Sequence, residues 1–173
     1  YLFCQDRQPN SDYLVFPQHT TSNRKYIPIG FMSKDVIVGN ACYAIPDVSL
    51  FEFGVLTSYV HMAWTKVVCG RLGEGYRYSP AIYNNFPWPE ATDIQKEKII
   101  KTAQMIIDAR NKYFNSSLSS LYNELTMPPE LRKAHQENDK AVMEAYGFNW
   151  KTMTESECVA ELMKMYQLLT EKS

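Results

Sequence analysis

A glycine-punctuated segment near the middle of the chain carries side chains that could read nucleotide bases. An arginine can hold guanine O6 and N7 with two hydrogen bonds, a carboxylate can accept from cytosine N4, and an asparagine amide can pair with adenine N6 and N7. Such side chains also occur on ordinary solvated loops, so the pattern leaves both interpretations open. The polar and aromatic residues of the segment are Arg71, Glu74, Tyr76, Arg77, Tyr78, Ser79, Tyr83, Asn84 and Asn85.

A second polar cluster, TTSNRK at 20–25, precedes a predicted strand. Its small hydrogen-bond donors and two cations are suited to contacts with a phosphate backbone. A solvated hairpin loop would have the same composition, and the sequence does not separate the two. The candidate contact residues here are Ser22, Arg24 and Lys25.

Catalytic chemistry has little support. The three histidines, at 19, 61 and 135, suit core or surface roles, and no H-E-x-x-H, P-loop or G-x-G-x-x-G motif is present. The tetrapeptide NFPW at 85–88 is similar to the Asn-Pro-Pro-aromatic motif of amino-group DNA methyltransferases, but Phe86 replaces the first proline. No glycine-rich strand and turn precedes it. We therefore assign no catalytic residue and no metal ligand.

Composition places the chain among ordinary globular proteins. It has 173 residues, of which 45% are hydrophobic and 21% charged. A net charge of -1 gives no overall attraction to polyanions, so any nucleic-acid site must be a local patch. No stretch has about 18 consecutive apolar residues, so we expect no membrane span. The four cysteines lack a C-x-x-C pair, which favours reduced thiols in a cytoplasmic protein. The first residues lack an initiator Met, so we expect a piece of a longer protein.

The first half of the chain is predicted to be rich in strands and turns. Short β-branched and aromatic runs end at Pro, Gly, Asn or Ser. After them, the capping box of Ser49 and Glu52 and apolar residues at helical spacing predict one helix of about five turns that ends at Gly70. Strands are predicted at 13–17, 25–31, 35–39 and 42–46, with one more within the loop at 76–83.

The second half is predicted to be helical. Capping boxes at Thr92 and Thr154 begin two helices, and Pro129 and Gly147 delimit a third. The first of these ends near Tyr113, and a short helical turn follows at 117–123. The sequence thus indicates an α+β fold: a small mixed or antiparallel sheet with a long helix, followed by a C-terminal helical bundle that packs on it. We expect the modules to be 1–90 and 91–173.

Four stretches in the right order carry a family likeness: 20–31, 44–79, 83–89 and 120–148. On these stretches the chain resembles the C-terminal part of the MmeI-like class of bacterial type II restriction-modification adenine DNA methyltransferases. The resemblance implies that 1–90 is a target-recognition domain and 91–173 a helical C-terminal segment. It also implies that the nuclease and the S-adenosylmethionine-binding catalytic domain precede both.

The resemblance further implies roles for single residues. Glu74 and Arg77 would read bases in double-stranded DNA, with Tyr76 and Ser79 as neighbours. Family members often carry Ser-Ser-Glu-Arg-Arg where this chain has TSNRK, which leaves a backbone role for Asn23 open. The chain would bind no cofactor itself and would work beside the methyltransferase domain of its parent. The implied DNA-binding set is completed by Ser22, Arg24, Lys25, Arg71 and Asn84.

Two other functions remain open from the sequence. The near-neutral charge favours a module that docks another protein or the parent's own domains, because isolated DNA-binding domains are usually basic. A hydrolase that uses Cys69 or Cys158 as its nucleophile is the third interpretation. The first alternative predicts no binding to a random duplex at low salt, and the second requires a measurable activity that is lost when either thiol is changed.

Overall fold

Short strands in the first half of the chain form two antiparallel sheets. The computed structural model describes residues 8–171, except for the side chains of Arg71 and Leu72. The strands are β1 (Tyr13–Pro17), β2 (His19–Thr21), β3 (Gly30–Met32), β4 (Cys42–Pro46), β5 (Gly70–Leu72) and β6 (Gly75–Arg77). In this part of the chain, one sheet has the order β3-β1-β4 and the other the order β2-β6-β5.

The strands at 13–17 and 42–46 are confirmed, whereas two others differ from the prediction. Only the end of the predicted 25–31 strand enters a sheet, as β3. The strand predicted at 35–39 is wrong. Backbone carbonyls in and next to this segment accept hydrogen bonds from a side chain and not from a neighbouring strand, since Gln8 Nε2 donates to the carbonyls of Lys34 and Val36. Ile37 is 76% exposed. β-Branched residues favour strands because they pack on neighbouring side chains, and Ile37 lacks such a packing surface.

Helices make up most of the rest of the described chain. The single long helix predicted between Ser49 and Gly70 is wrong, since it divides at Ser58. The Ser58 hydroxyl donates to the Val55 carbonyl at 2.7 Å and accepts from the His61 amide, and so caps a new helix. The helices are α1 (Leu50–Leu56), α2 (Tyr59–Val68), α3 (Pro80–Asn84), α4 (Asp93–Asn111), α5 (Leu118–Leu121), α6 (Pro129–Ala145) and α7 (Glu155–Glu171).

Local capping signals hold where the sequence predicts them. Thr92 and Gln95 form a capping box at the start of α4, and Thr154 and Glu157 exchange the same bonds before α7. After α6, Gly147 has φ +73°, and the amides of Gly147 and Phe148 close the helix in a Schellman arrangement. These predicted helix limits are confirmed.

One apolar cluster continues across both halves of the described chain. It includes Leu14 and Phe53 from the first half, and Ile99 and Leu162 from the second. Helix α4 packs on α6 and α1, and α7 packs on α2. The predicted α+β class is therefore confirmed, as is the packing of the C-terminal helices on the first module.

Buried polar contacts also join the halves. The Arg110 guanidinium donates to the Ile29 carbonyl at 2.7 Å and to the Tyr122 hydroxyl at 2.9 Å. Asp139 accepts from the Tyr26 hydroxyl and the Tyr59 amide, both at 2.7 Å. Burial of the Asp139 carboxyl raises its pKa to about 6, against these two hydrogen bonds, which favour the charged form. Residues 26–29, which follow the 20–25 cluster, are thereby fixed to α4 and α6.

Candidate nucleic-acid interface

The segment singled out for base reading forms a β-hairpin. Strands β5 and β6 pair Gly70 with Arg77 and are joined by the two-residue turn of Gly73 and Glu74. Gly73 has φ +57°, which a two-residue hairpin turn of type II′ requires at its first central position and which glycine adopts without steric cost. The predicted strand within 76–83 is thus shorter, and α3 follows it. Glu74 is exposed at the tip of the hairpin.

Side chains alternate between the two faces of β6 and its continuation. Tyr76 is 8% exposed and Tyr78 is 2% exposed, whereas Arg77 between them is exposed. Successive residues of an extended strand point to opposite faces, so two buried tyrosines force the arginine outward. The outward direction of Arg77 is therefore built into the packing of the strand.

A buried histidine holds the base of this strand. His61 Nδ1 lies 2.7 Å from the Leu56 carbonyl oxygen, which can only accept, so Nδ1 carries the proton. Nε2 is then free to accept from the Tyr78 hydroxyl at 3.1 Å. Burial lowers the pKa of His61 to about 4, which keeps the ring neutral in this role. The Tyr78 ring stacks on Phe16, with 4.9 Å between ring centres.

A third strand extends the outward face. Strand β2 pairs with β6 so that His19 lies opposite Arg77 and Thr20 opposite Tyr76. His19 and Thr21 are exposed while Thr20 is buried, so His19 and Thr21 share the face of Arg77. Sequence reasoning missed His19, and it placed Thr21 in the 20–25 cluster without naming it as a contact residue. The only signal in the sequence was the short run HTT at 19–21, and three residues are too few to indicate a strand when the strand that pairs with them is not known.

The turn after β2 carries the other candidate cluster. The exposed Ser22, together with residues 73–76 of the hairpin, borders a recess of about 320 Å³. Arg24 points elsewhere, because its Nη2 donates to the Ser119 hydroxyl oxygen at 2.8 Å and to the Ser119 carbonyl. Lys25 is exposed, and its Nζ lies 5.6 Å from the centre of the Tyr26 ring. Ser22 and the hairpin are thus brought together, whereas Arg24 is fixed to α5.

The remaining candidates flank the hairpin. Ser79 is half-buried and precedes α3 without a capping hydrogen bond from its side chain. Asn84 is exposed at the last residue of α3. The side chain of Arg71 lies outside the described part of the structure, although its backbone pairs with Tyr76.

The NFPW tetrapeptide serves the core. Phe86 is 3% exposed and meets the His61 ring edge-to-face at 4.9 Å between ring centres. It also contacts the rings of Trp64 and Trp88. Phe86 is therefore part of the apolar core.

Two observations bear on metal binding and on thiol chemistry in the described residues. No group of three or more His, Cys, Asp or Glu residues within 8–171 could hold a metal ion. Burial raises the pKa of the Cys158 thiol to about 12, and the nearby Glu155 carboxylate acts in the same direction, so Cys158 is a poor nucleophile. Over the same residues, no helix is long and apolar enough to cross a membrane.

Comparison with known proteins identifies the class to which this fold and interface belong. Residues 1–90 match the family model described as MmeI, target recognition domain, and residues 91–172 match that described as MmeI, C-terminal domain. The chain therefore belongs to the MmeI family, and the resemblance predicted from the sequence is confirmed.

Two longer relatives make the likeness specific. The chain is 38% identical over 170 residues to DNA methyltransferase A of Bacillus subtilis (strain 168), an alignment that covers 97% of this chain and 19% of the relative. It is 45% identical to the type IIL restriction-modification enzyme MmeI, whose structure was solved in complex with DNA. That superposition has a TM-score of 0.89 and covers 95% of this chain and 22% of MmeI. The chain thus spans about a fifth of the length of these relatives.

Proposed function

We propose that the chain reads the DNA sequence for an MmeI-like restriction-modification enzyme and does not itself catalyse a reaction. The observation that carries this proposal is the exposed Arg77, held outward between the buried Tyr76 and Tyr78. Membership of the target recognition domain family and the likeness to a DNA-bound relative support it.

The tip and the exposed face of this sheet would lie against the major groove, where each base pair presents a distinct pattern of donors and acceptors. Arg77 would hold a guanine through O6 and N7, and Glu74 at the tip would accept from a cytosine N4. Ser79 and Asn84 would lie beside the bases. Since only 8% of Tyr76 is exposed, its part is to fix the strand rather than to bind a base.

Phosphate contacts would set the register of the hairpin. Ser22 and Lys25 are exposed on the turn after β2, and we assign them to the backbone together with Arg71. Arg24 would act indirectly, because its hydrogen bonds to Ser119 hold the turn in place. A bound adenine would be flipped from the duplex into the parent's methyltransferase domain, at a cost of a few kcal/mol.

S-adenosylmethionine would be bound by that other domain. Ligands of open α/β sheets lie at the carboxyl ends of parallel strands. Both sheets of the described chain are antiparallel and have three strands, so the residues present do not fit this cofactor. A protein with this role would work in the cytoplasm, where bacterial DNA lies.

The test compares substitutions at two positions, Arg77 and Lys25. Bound duplexes selected from a random library should share a motif for the wild type. Arg77→Ala should relax discrimination at one base pair by about 1–3 kcal/mol, and Arg77→Lys should restore only part of it because lysine lacks the planar fork. Lys25→Ala, the control, should weaken binding to all sequences alike. A wild-type chain that selects no motif, or an Arg77→Ala variant with an unchanged motif, would refute the reading role.

The net charge of -1 and two exposed apolar residues favour a second candidate, an interdomain docking module. Leu125 is 94% exposed and Phe114 is 83% exposed, so both side chains are accessible to another domain. If docking is the function, Leu125→Ser should abolish association with the parent's other domains, and the wild-type chain should not bind a random duplex at low salt.

A further inference from the structure

The outward face of the sheet formed by β2, β6 and β5 carries two polar side chains without a protein partner. Arg77 and His19 lie directly opposite each other on neighbouring strands, and both are exposed. Neither forms a hydrogen bond or an ion pair with another residue in the described part of the chain. We call this side of the sheet the reading face. The N–H donors of Arg77 are therefore available to a partner outside the described chain.

This lack of a partner distinguishes both residues from others of their type. The two remaining histidines are buried, and each contacts a tyrosine hydroxyl. The remaining arginines with described side chains all donate hydrogen bonds within the protein: Arg24, Arg110 and Arg132. Among the described residues, the arginine and the histidine without a partner thus face each other across one pair of strands.

On the other side of Arg77, the opposite residue on β5 is Gly70. The backbone does not require a glycine there, because Gly73 and Gly147 are the glycines with positive φ in the described chain. Packing does not require one either, since a Cβ at Gly70 would meet no heavy atom of the described residues within 4 Å, apart from its chain neighbours. A glycine within a strand weakens the strand and often marks a place where a ligand approaches the backbone closely.

A second glycine lies on the same face. Gly75 precedes Arg77 by two residues on β6, so both residues point outward. Arg77 is therefore bordered by a glycine along its own strand and by Gly70 across to β5, whereas its neighbour on β2 is His19. A partner that approaches this face reaches the guanidinium over bare backbone from two sides and meets the His19 ring on a third.

The backbone of His19 is held at a fixed position. Gln18, which precedes it, donates from its amide to the Ala41 carbonyl at 3.0 Å and accepts from the Tyr78 amide at 2.8 Å. After Gln18, the ladder between β2 and β6 fixes His19 itself. A contact residue on a rigid strand is more precisely placed than one on a loop, so His19 is preorganised for binding.

We propose that His19 is a further specificity-determining residue, which contacts the base pair next to the one held by Arg77, and that the absence of a side chain at Gly70 lets the duplex reach Arg77. The proposal rests on the function proposed above and names two further residues of the same surface. A neutral imidazole offers one N–H donor and one acceptor nitrogen, and every base pair presents donors or acceptors in the major groove.

The spacing of the strands supports contact with a neighbouring base pair. Opposite residues of an antiparallel pair have Cβ atoms about 4.5–5.5 Å apart. Successive base pairs are separated by about 3.4 Å along the duplex axis. Because the first distance exceeds the second, His19 and Arg77 would meet different base pairs.

The test of His19 uses the motif that the wild-type chain selects from a random library, together with every single-base variant of it. Affinities are measured by fluorescence anisotropy, and Arg77→Ala marks the base pair that Arg77 reads. His19→Ala should reduce discrimination at an adjacent base pair by about threefold to tenfold, as expected for one hydrogen bond, and leave discrimination at the Arg77 base pair unchanged. Gln136→Ala, at an exposed neutral residue of α6, is the control and should change neither.

The test of Gly70 separates binding from stability. Gly70→Val should weaken binding of the selected duplex by about tenfold, because the added side chain holds the base pair away from Arg77. Its thermal midpoint should not fall, since the Cβ has open space and valine favours strands. Gly70→Ala, the smaller change, should show a weaker form of the same effect, and it replaces the valine variant in the test if valine lowers the midpoint.

The outcomes separate this inference from the proposed function. If the wild-type chain selects no motif, both fail together. If a motif is selected and Arg77→Ala relaxes one base pair of it, the proposed function stands. Unchanged discrimination at every base pair in His19→Ala, or wild-type affinity in both Gly70 variants, would then overturn this inference alone.

Discussion

Acidification should destabilise the chain through His61, the residue beneath the candidate reading strand. The His61 ring is fully buried, and its pKa falls from 6.5 to about 4. Between these values the unfolded chain binds a proton and the folded chain does not, so the free energy of unfolding decreases as pH falls. A tenfold difference in proton affinity between the folded and unfolded states corresponds to about 1.4 kcal/mol. The free energy of unfolding should therefore fall by about 3 kcal/mol between the two pKa values of His61.

The measurement is urea unfolding of the wild type and of His61→Gln at several pH values from 7 to 4. Glutamine does not titrate but offers an oxygen to accept from the Tyr78 hydroxyl. The stability of the wild type relative to the variant should fall by about 3 kcal/mol over this range. Comparison with the variant is needed because the raised pKa of Asp139 acts in the opposite direction in both proteins.

Parallel stability curves for the two proteins would refute the reasoning, since they would mean that His61 is protonated equally in the folded and unfolded states. Tyr78→Phe is a second check. This substitution removes the hydroxyl from which His61 Nε2 accepts, and it should reduce the free energy of unfolding by about 1–3 kcal/mol at pH 7. The imidazole ring of His61 can still be protonated in this variant. Its dependence on pH should therefore resemble that of the wild type.

Three further substitutions test the packing around the interface. Gly54→Ala would place a Cβ 2.6 Å from the Cγ2 of an α4 isoleucine and should cost about 1–3 kcal/mol in urea unfolding; an unchanged midpoint would show that α1 and α4 can separate freely. Gly73→Ala, at φ +57°, should cost about 1–2 kcal/mol and weaken duplex binding, whereas a neutral result would contradict the turn type. Arg110→Lys replaces the planar fork that donates to Ile29 and Tyr122 with a single ammonium group and should lower the thermal midpoint, with a loss of about 3 kcal/mol; wild-type stability would argue against the buried fork.

Features with partners close in sequence could be predicted. The capping boxes at Ser49, Thr92 and Thr154 each join residues three apart, so the hydrogen bonds can be read directly from the residue types. The same holds for Gly147, whose positive φ ends α6. The division of the predicted helix at Ser58 could not be predicted, because the apolar spacing continues across this serine. Only the hydrogen bonds of its hydroxyl show that Ser58 caps a second helix.

Features with distant partners could not be predicted. Strand β2 pairs with β6, more than fifty residues further along the chain, so TTSNRK was interpreted as a single loop. The strand predicted at 35–39 failed for the converse reason, since β-branched residues need a neighbouring strand and a packing surface, and this segment has neither. Arg24 was grouped with Lys25 by composition, but Ser119 holds its guanidinium.

Sequence alone determined the positions of most helices, the α+β class and, through four stretches of likeness, the family. It also located the polar segment between Arg71 and Asn85. Tertiary structure decided which side chains of that segment reach solvent, because the pairing of β6 between β2 and β5 fixes the alternation that buries Tyr76 and Tyr78 and exposes Arg77. Composition lists polar residues, but only packing assigns each of them to a face.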